Sequence, residues 1–213
     1  MRKLIFTSVV ATALVCTVSA SAALVPGVHD PGSTGCVKAT FSKKTLHLEK
    51  NCPTATDAAA GAVITGFGGQ AFKSASFTLA SATQCQGGSP RFNVVTTTGL
   101  FFLGCNNVTP TLNRNGTATY RFTAQTLAAA GQQVPTPTGT IQFISVLIDV
   151  QGTADLTKIR FNGKLQKLAP GKADLTRPCK KGGWKTFTNP TFKNQGQCVR
   201  FLVHARNAAK KTG

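Results

Sequence analysis

The sequence predicts an all-β protein: an antiparallel, jelly-roll-like β-sandwich with a small disulfide-closed unit at its C-terminal end. The first observation is a series of about nine short segments that alternate polar and apolar residues or form short apolar runs, separated by turns rich in glycine, proline and asparagine. The second is that six cysteines fall into neighbouring pairs, each of which brackets a predicted hairpin or closed loop.

The hairpin at the centre of the chain lies between Cys85 and Cys105. A Gly-Gly-Ser-Pro turn leads into an alternating strand that places Phe92 and Val94 on one face. A Thr-Gly turn then reverses the chain, and Leu100–Leu103 returns as a continuous apolar strand. Because antiparallel strands bring the open ends of a hairpin together, we expect a disulfide between the two cysteines.

An earlier hairpin pairs Val37–Phe41 with Thr45–Lys50, and Cys36 and Cys52 lie at its open end. Both strands alternate, which is typical of a sheet with one face buried. The face that we expect to point outward carries Lys38, Lys43, Lys44, His47 and Lys50.

The remaining segments are assigned by their composition and period. Alanine-rich Pro53–Ala62 is expected to form a short helix and Gln125–Gly131 a helical turn. Further strands are predicted at Ser76–Ala80, Thr117–Thr123, Thr140–Val150 and Thr157–Leu165, with Asp149–Asp155 as the turn between the last two. The inward positions of these strands predict a core of Phe92, Val94, Phe102, Tyr120, Phe122, Ile141, Phe143, Leu147, Ile159 and Phe161.

The N-terminus has the pattern of an export signal. Two basic residues, Arg2 and Lys3, follow the initial methionine, and Leu4–Val18 is a short apolar run. Residues 20–22 are small, as a signal peptidase requires, so we place the mature start at Ala23. A membrane-spanning helix is the competing interpretation, but it needs about 20 apolar residues. We therefore expect a secreted, extracellular protein without a membrane span, either free or associated with the cell wall.

Six cysteines remain once Cys16 of the signal is removed, and an even count in an exported chain indicates disulfides. The sequence leaves the connectivity open, and we choose the sequential pairing because each pair encloses a compact segment. Zinc is the alternative; it is disfavoured because the cysteines form no Cys-x-x-Cys pair and the three histidines are far apart. The expected disulfide residues are Cys36, Cys52, Cys85, Cys105, Cys179 and Cys198.

Composition shifts divide the chain into six parts. The predicted boundaries are a signal peptide at residues 1–22, a loose leader at 23–35, the β-sandwich at 36–169, a basic linker at 170–178, a disulfide-closed basic module at 179–203 and a basic tail at 204–213.

The basic module resembles the C-terminal motif of uncharacterised exported proteins of actinobacteria. The resemblance covers residues 179–203 and has the pattern Cys-Lys-x-Gly-Gly-Trp…Phe-Lys-Asn-Gln-Gly-x-Cys-Val, carried by Cys179, Trp184, Phe192 and Cys198 among others. Residues 87–94 look like the core of the same group, and residues 159–163 are similar to the closing strand of jelly-roll modules. The resemblance implies secretion and a β-sandwich, and it implies no activity.

The charge is strongly positive: removal of Arg2 and Lys3 with the signal lowers the formal charge from +18 to +16. Such an imbalance suits either solubility or attraction to polyanions such as cell-wall polymers and acidic polysaccharide. Nucleic acid is the least favoured partner, because one tyrosine and one tryptophan offer few stacking platforms. The predicted polyanion-binding residues are Lys180, Lys181, Lys185, Lys193, Arg200 and Arg206.

The sequence contains no catalytic constellation, and we predict no catalytic residue, metal or cofactor. Among six acidic residues, Asp149 and Asp155 are the best candidates for a glycosidase pair, because they flank one predicted turn. A calcium site of these two with Asn162 is a further alternative. Two hypotheses follow: a secreted, non-catalytic module that binds carbohydrate or an anionic cell surface, and, as the alternative, a glycan-active hydrolase that uses the two aspartates.

Overall fold

The computed structural model describes residues 22–129, 134–168, 179–187 and 191–200. In this part of the chain the strands are β1 (Ala23–His29), β2 (Val37–Ser42), β3 (Thr45–Lys50), β4 (Ala59–Thr65), β5 (Ala75–Leu79), β6 (Arg91–Thr96), β7 (Gly99–Gly104), β8 (Thr111–Leu112), β9 (Ala118–Phe122), β10 (Ile141–Ile148), β11 (Gly152–Phe161) and β12 (Lys164–Leu165). Helix α1 (Ala124–Ala129) and a helical stretch at 195–200 are short, and no described helix is long and apolar enough to span a bilayer.

The predicted antiparallel β-sandwich is confirmed. Sheet A has the strand order β1-β4-β10-β6-β7, and sheet B has the order β2-β3-β11-β5-β9-β8, with β12 pairing to β11. Every strand pair is antiparallel, and the chain passes repeatedly from one sheet to the other, for example between β3 and β4 and between β9 and β10.

Aromatic rings fill the space between the sheets. Phe92 of sheet A lies 5.5 Å from Phe77, 5.8 Å from Phe122 and 6.1 Å from Phe161, measured between ring centroids, and those three rings belong to sheet B. All four side chains are fully buried. Tilted and edge-on rings at these distances add about 0.5–1.5 kcal/mol per pair beyond the area they bury, so this cluster holds the two sheets together.

Most of the predicted core is confirmed, but three residues were misplaced: Phe102, Phe143 and Leu147. Phe102 is only half-buried and lies under the Arg91 guanidinium, 5.1 Å from its ring centroid, because the β6–β7 register pairs Val94 with Phe101 instead. Leu147 lies on the outer face of sheet A opposite Gly61.

Two further expectations were wrong at the N-terminal half. Residues 23–29 are not a loose leader but strand β1, paired along its whole length with β4. The alanine-rich segment that we predicted as a helix contributes residues 59–62 to β4, an internal strand between β1 and β10. Small side chains suit this strand because it packs closely: a Cβ on Gly61 would lie 2.6 Å from the Val146 carbonyl oxygen.

The disulfide-closed module packs on the outer face of sheet A. Its buried residues Cys179, Phe187 and Cys198 contact an apolar patch of Val63, Val95 and Phe143, and Leu100, Trp184, Phe192 and Val199 surround this cluster. The Gln142 side-chain amide also donates to the Thr186 carbonyl, at 2.8 Å. Phe143 therefore belongs to this second cluster. The predicted linker at 170–178 and the predicted tail at 204–213 lie outside the described residues, as does the predicted signal peptide up to residue 21.

All three sequential disulfides form: Cys36–Cys52, Cys85–Cys105 and Cys179–Cys198, with Cα–Cα distances of 5.4, 5.8 and 5.6 Å. Closing a loop of this size stabilises a chain by about 3 kcal/mol in the chain-entropy model. Three disulfides indicate an oxidising compartment.

A methyl group at Gly61 tests the tight contact between β4 and β10. We expect Gly61→Ala to lower the free energy of unfolding by about 1–3 kcal/mol, because the new Cβ meets backbone and the Leu147 Cβ at 2.7 Å. Gly68→Ala is the matched control, since no heavy atom lies within 4 Å of its Cβ position. Denaturant unfolding measures both, and equal stability of the two variants would contradict the described packing.

Burial raises the pKa of the Tyr120 phenol above its usual range, and the chain has one tyrosine. The neutral phenol is therefore favoured in the folded state. The stability that this pKa difference provides is fully present below the pKa of the unfolded phenol, about 10. It is lost as the pH rises through the higher pKa of Tyr120 in the folded protein. We expect the tyrosinate absorbance to appear at higher pH in the native protein than in the protein unfolded by denaturant; coincident titrations would show that the ring is not buried.

Candidate functional site

The two ends of the sandwich differ in charge. At one end of the sandwich, three strands begin and three strands finish: β4, β6 and β11 begin there, and β1, β3 and β10 finish there. The Cys36–Cys52 and Cys85–Cys105 disulfides lie at this end. We call it the acidic end, because it holds all five acidic residues that the structure describes: Asp30, Glu49, Asp57, Asp149 and Asp155. The opposite end is called the basic end.

A buried ion pair lies at the acidic end. Arg91, the first residue of β6, donates to both carboxylate oxygens of Asp149, from Nη1 at 2.8 Å and from Nη2 at 2.7 Å. Its Nε donates to Asn93 Oδ1 at 2.9 Å, and the Ser89 hydroxyl donates to the same aspartate at 3.1 Å. The side chains of the pair are only 8% and 6% exposed. This bidentate geometry satisfies the carboxylate within the fold.

Lys50 is the second buried charge at this end. Its side chain is fully buried, and Nζ lies within hydrogen-bonding distance of the carbonyl oxygens of Thr54, Thr56, Ala58 and Asp149, at 3.3, 2.8, 3.0 and 2.9 Å. These contacts hold the 51–58 loop against the end of β10. We expected Lys50 to point outward, which was wrong. The alternation already contained the signal, since Lys50 shares the inward face with Leu46 and Leu48.

The two aspartates of the hydrolase hypothesis do not flank one turn. Asp155 is a residue of β11, where it pairs in register with His47 of β3. Its carboxylate accepts from the Gln84 side-chain amide at 3.2 Å and lies 2.8 Å from His47 Nδ1. Asp149 is buried with Arg91 instead. Each carboxylate is thus engaged with a different set of partners, and no shared cleft is formed by the described contacts.

The calcium alternative was also wrong. Asn162 lies at the basic end, where its side-chain oxygen accepts from the Lys73 backbone amide at 2.8 Å and its side-chain nitrogen donates to the Ala71 carbonyl at 2.8 Å. The ten-residue strand β11 separates it from Asp149. Within the described ranges no group of three or more His, Cys, Asp or Glu residues is arranged to hold a metal ion.

The basic end carries eight exposed cationic side chains. None of them forms an ion pair with a carboxylate in the part of the chain that the structure describes. They come from the β2–β3 turn, the loop before β5, strands β9 and β11, and the segment from β12 to the end of the sandwich. We call them the basic cluster: Lys43, Lys44, Lys73, Arg121, Lys158, Arg160, Lys164 and Lys167.

The predicted polyanion-binding residues of the module lie elsewhere, on the side of sheet A. Five of them are exposed: Lys180, Lys181, Lys185, Lys193 and Arg200. Lys185 Nζ lies 5.5 Å from the centre of the Trp184 ring, a cation–π distance. Arg206 lies outside the described residues. Sequence reasoning missed the basic cluster because its members are spread over separate segments between residues 43 and 167 and only the fold brings them to one end.

A small cavity opens where β4 and β10 diverge. Its volume is about 190 Å³, and its lining includes Val63, Phe67, Gln142 and Phe143. Small-molecule sites in proteins usually measure about 300–1,000 Å³. The cavity is therefore too small to carry a functional assignment, and the basic cluster is the better candidate site.

Comparisons with protein-family models, with curated proteins and with solved structures found no match to this chain. The resemblance of the module to exported actinobacterial proteins stays a prediction.

The buried pair can be tested by a double-mutant cycle. Asp149→Leu leaves the Arg91 guanidinium buried without its partner, so we expect a loss of about 3–5 kcal/mol in the free energy of unfolding. The cycle is completed by Arg91→Met and by the double variant Arg91→Met/Asp149→Leu. The double variant should lose markedly less free energy of unfolding than the two single variants lose together. Asp155→Asn is the control at a partly exposed pair and should cost about 0–1 kcal/mol. Additive losses in denaturant unfolding would show that the two charges are not coupled.

Proposed function

We propose that the protein is an exported, non-catalytic binding module that attaches to an anionic polymer of the cell surface through its basic end. The observation that carries this proposal is the basic cluster: eight exposed cations at one end, without a described carboxylate beside them. A surface of one sign raises the local potential and attracts polyanions. The disulfides and the predicted signal peptide support export.

An anionic polymer fits this surface better than a neutral glycan. Ligand pockets for uncharged molecules are usually concave and lined by aromatic and apolar side chains. The large apolar side chains that are exposed in the described ranges are aliphatic and scattered: Val28, Leu112, Leu165 and Leu168. Charge is therefore the property that the basic end offers to a partner.

Binding is also favoured over the hydrolase alternative. A glycosidase needs one carboxyl group as acid and a second as base or nucleophile, both facing the substrate. Both oxygen atoms of Asp149 are occupied by Arg91, and Asp155 is held by His47 and Gln84.

The exposed lysines of the module offer a second set of contacts to an anionic polymer. Deleting the module is a poor test of these contacts, because the deletion also uncovers an apolar part of sheet A. Removing residues after 173 would expose Val63, Val95 and Phe143, which the module covers. Charge substitutions in the full chain avoid this, and Lys185→Gln/Lys193→Gln removes two exposed cations of the module.

Co-sedimentation with purified cell walls over a salt series tests the proposed function. We expect the mature protein to be retained at low salt and released as salt rises, because exposed charges are screened beyond about 8 Å at physiological ionic strength. Lys73→Gln/Lys164→Gln removes two cations of the basic cluster. At about 0.2–1 kcal/mol for each exposed ion pair, its affinity should fall about twofold to thirtyfold.

The matched control is Lys38→Gln/Arg114→Gln, which removes two exposed cations near the acidic end. Its net charge equals that of the Lys73→Gln/Lys164→Gln variant. Retention of this control should match the parent protein. If the parent protein is not retained at any salt concentration, the proposed function is wrong; if only the module variant loses retention, the site lies on the module.

A further inference from the structure

We infer that part of the basic cluster is a linear track, a row of cations across sheet B that holds one extended anionic polymer chain. This inference rests on the proposed function and specifies its partner: a flexible chain with closely repeated phosphate or carboxylate groups, not a lipid surface.

The strand register places the cations in a row. The β2–β3 turn carries Lys43 and Lys44, and β3 pairs with β11 up to Leu46 opposite Leu156, so the turn lies beside Lys158. Two residues further along β11, Arg160 pairs with Ser76 of β5, and Ser76 pairs in turn with Arg121 of β9. The row therefore crosses from the turn over β11 and β5 to β9.

A bulge in β11 turns two of these cations outward. Ala154 and Leu156 face the core in the first half of β11, and Ile159 and Phe161 face it in the second half. The inward residues are even-numbered before the bulge and odd-numbered after it, so the alternation is shifted by one residue. The register between β11 and β5 shifts between Thr157 and Arg160, where Lys158 has a φ of 49°. Unbroken alternation would point Lys158 and Arg160 into the core. Bulges commonly redirect side chains in this way.

Three lysines of the row occupy backbone positions that do not suit them. Lys43, Lys44 and Lys158 have φ values of 46°, 72° and 49°. Glycine and asparagine adopt the left-handed region with less strain than lysine does. Lysine at these positions thus supplies a charge where the backbone alone favours another residue, and strain of this kind often accompanies a functional surface.

The spacing of the row suits a linear polyanion. Neighbouring strands lie about 4.8 Å apart and alternate residues of one strand about 6.6 Å apart, so successive cations along the row are separated by about 5–10 Å. The row includes Arg121 and Arg160 on the outer face of sheet B as well as the turn at its end. A flexible chain can follow both the face and the turn, whereas a flat lipid surface lies against only one of them at a time.

The test compares polymers and chain lengths with the full mature protein. Binding to long-chain polyphosphate and to polygalacturonate is measured by titration at low salt, with tripolyphosphate as the short ligand and vesicles of anionic and zwitterionic phospholipid as the flat surface. We expect both long polymers to bind more tightly than the short ligand, and vesicle binding to be weaker than polymer binding. The polymer with the higher affinity identifies whether phosphate or carboxylate groups are preferred.

Lys44→Gly/Lys158→Gly removes two charges and keeps the left-handed backbone. We expect its melting temperature to be equal to or above that of the parent protein, and its affinity for the long polymer to fall about twofold to thirtyfold. Arg121→Gln/Arg160→Gln, in regular strand positions, should show the same loss of affinity if the glycine variant fails to fold. Lys38→Gln/Arg114→Gln is the control of equal net charge and should bind as the parent does.

Each result decides between the inference and a simpler account. An equal loss in the control variant means that net charge alone governs binding, which overturns the track and the assignment of binding to the basic end, while retention of the parent protein by cell walls would still support attachment to an anionic polymer. Binding to vesicles but not to polymers, or equal affinity for short and long polyphosphate, also overturns the track. If the parent protein binds neither polymers nor cell walls, the track and the proposed function fall together.

Discussion

Phe92 is the side chain on which the arrangement of the two sheets depends. It extends from sheet A into a group of three phenylalanine rings of sheet B, and burying such a ring contributes about 1.5–3 kcal/mol. Because side chains alternate along a strand, the inward position of Phe92 turns Arg91 and Val95 to the outer face of sheet A. One of these two forms the buried ion pair with Asp149, and the other lies beneath the C-terminal module. A single strand therefore connects the core, the ion pair and the module.

The charge asymmetry follows from how the carboxylates are used. At the acidic end, Asp149 neutralises Arg91, and the Lys50 ammonium lies among four backbone carbonyl groups. Asp57 lies 3.5 Å from His29, and Glu49 lies 3.7 Å from His47. With the described acidic residues gathered at one end, the exposed cations at the other end have none beside them, and their field is directed toward solvent.

The proposed mode of recognition uses charge and spacing instead of a cavity. The bulge at Lys158 is the feature that converts an otherwise regular strand into part of a cationic row, because it changes which residues of β11 face outward. The cavity between β4 and β10 is small. Apart from Phe102, which lies against Arg91, the aromatic side chains of the sandwich belong to the core or to the cluster beneath the module.

Alternation and cysteine spacing were enough to predict the sandwich, the central hairpin, strands β9 and β10 and all three disulfides, because a period of two and the open ends of a hairpin are local properties of the chain. The same alternation also predicts that Lys50 faces inward, because it lies two residues after Leu48 on the buried face of β3. Only the tertiary structure decided that β1 and β4 are strands, since small residues and prolines have weak strand preference until neighbouring strands pair with them. It also decided where the cations meet. The basic cluster draws on residues from 43 to 167, and no local pattern connects positions that become neighbours only when β11 pairs with both β3 and β5.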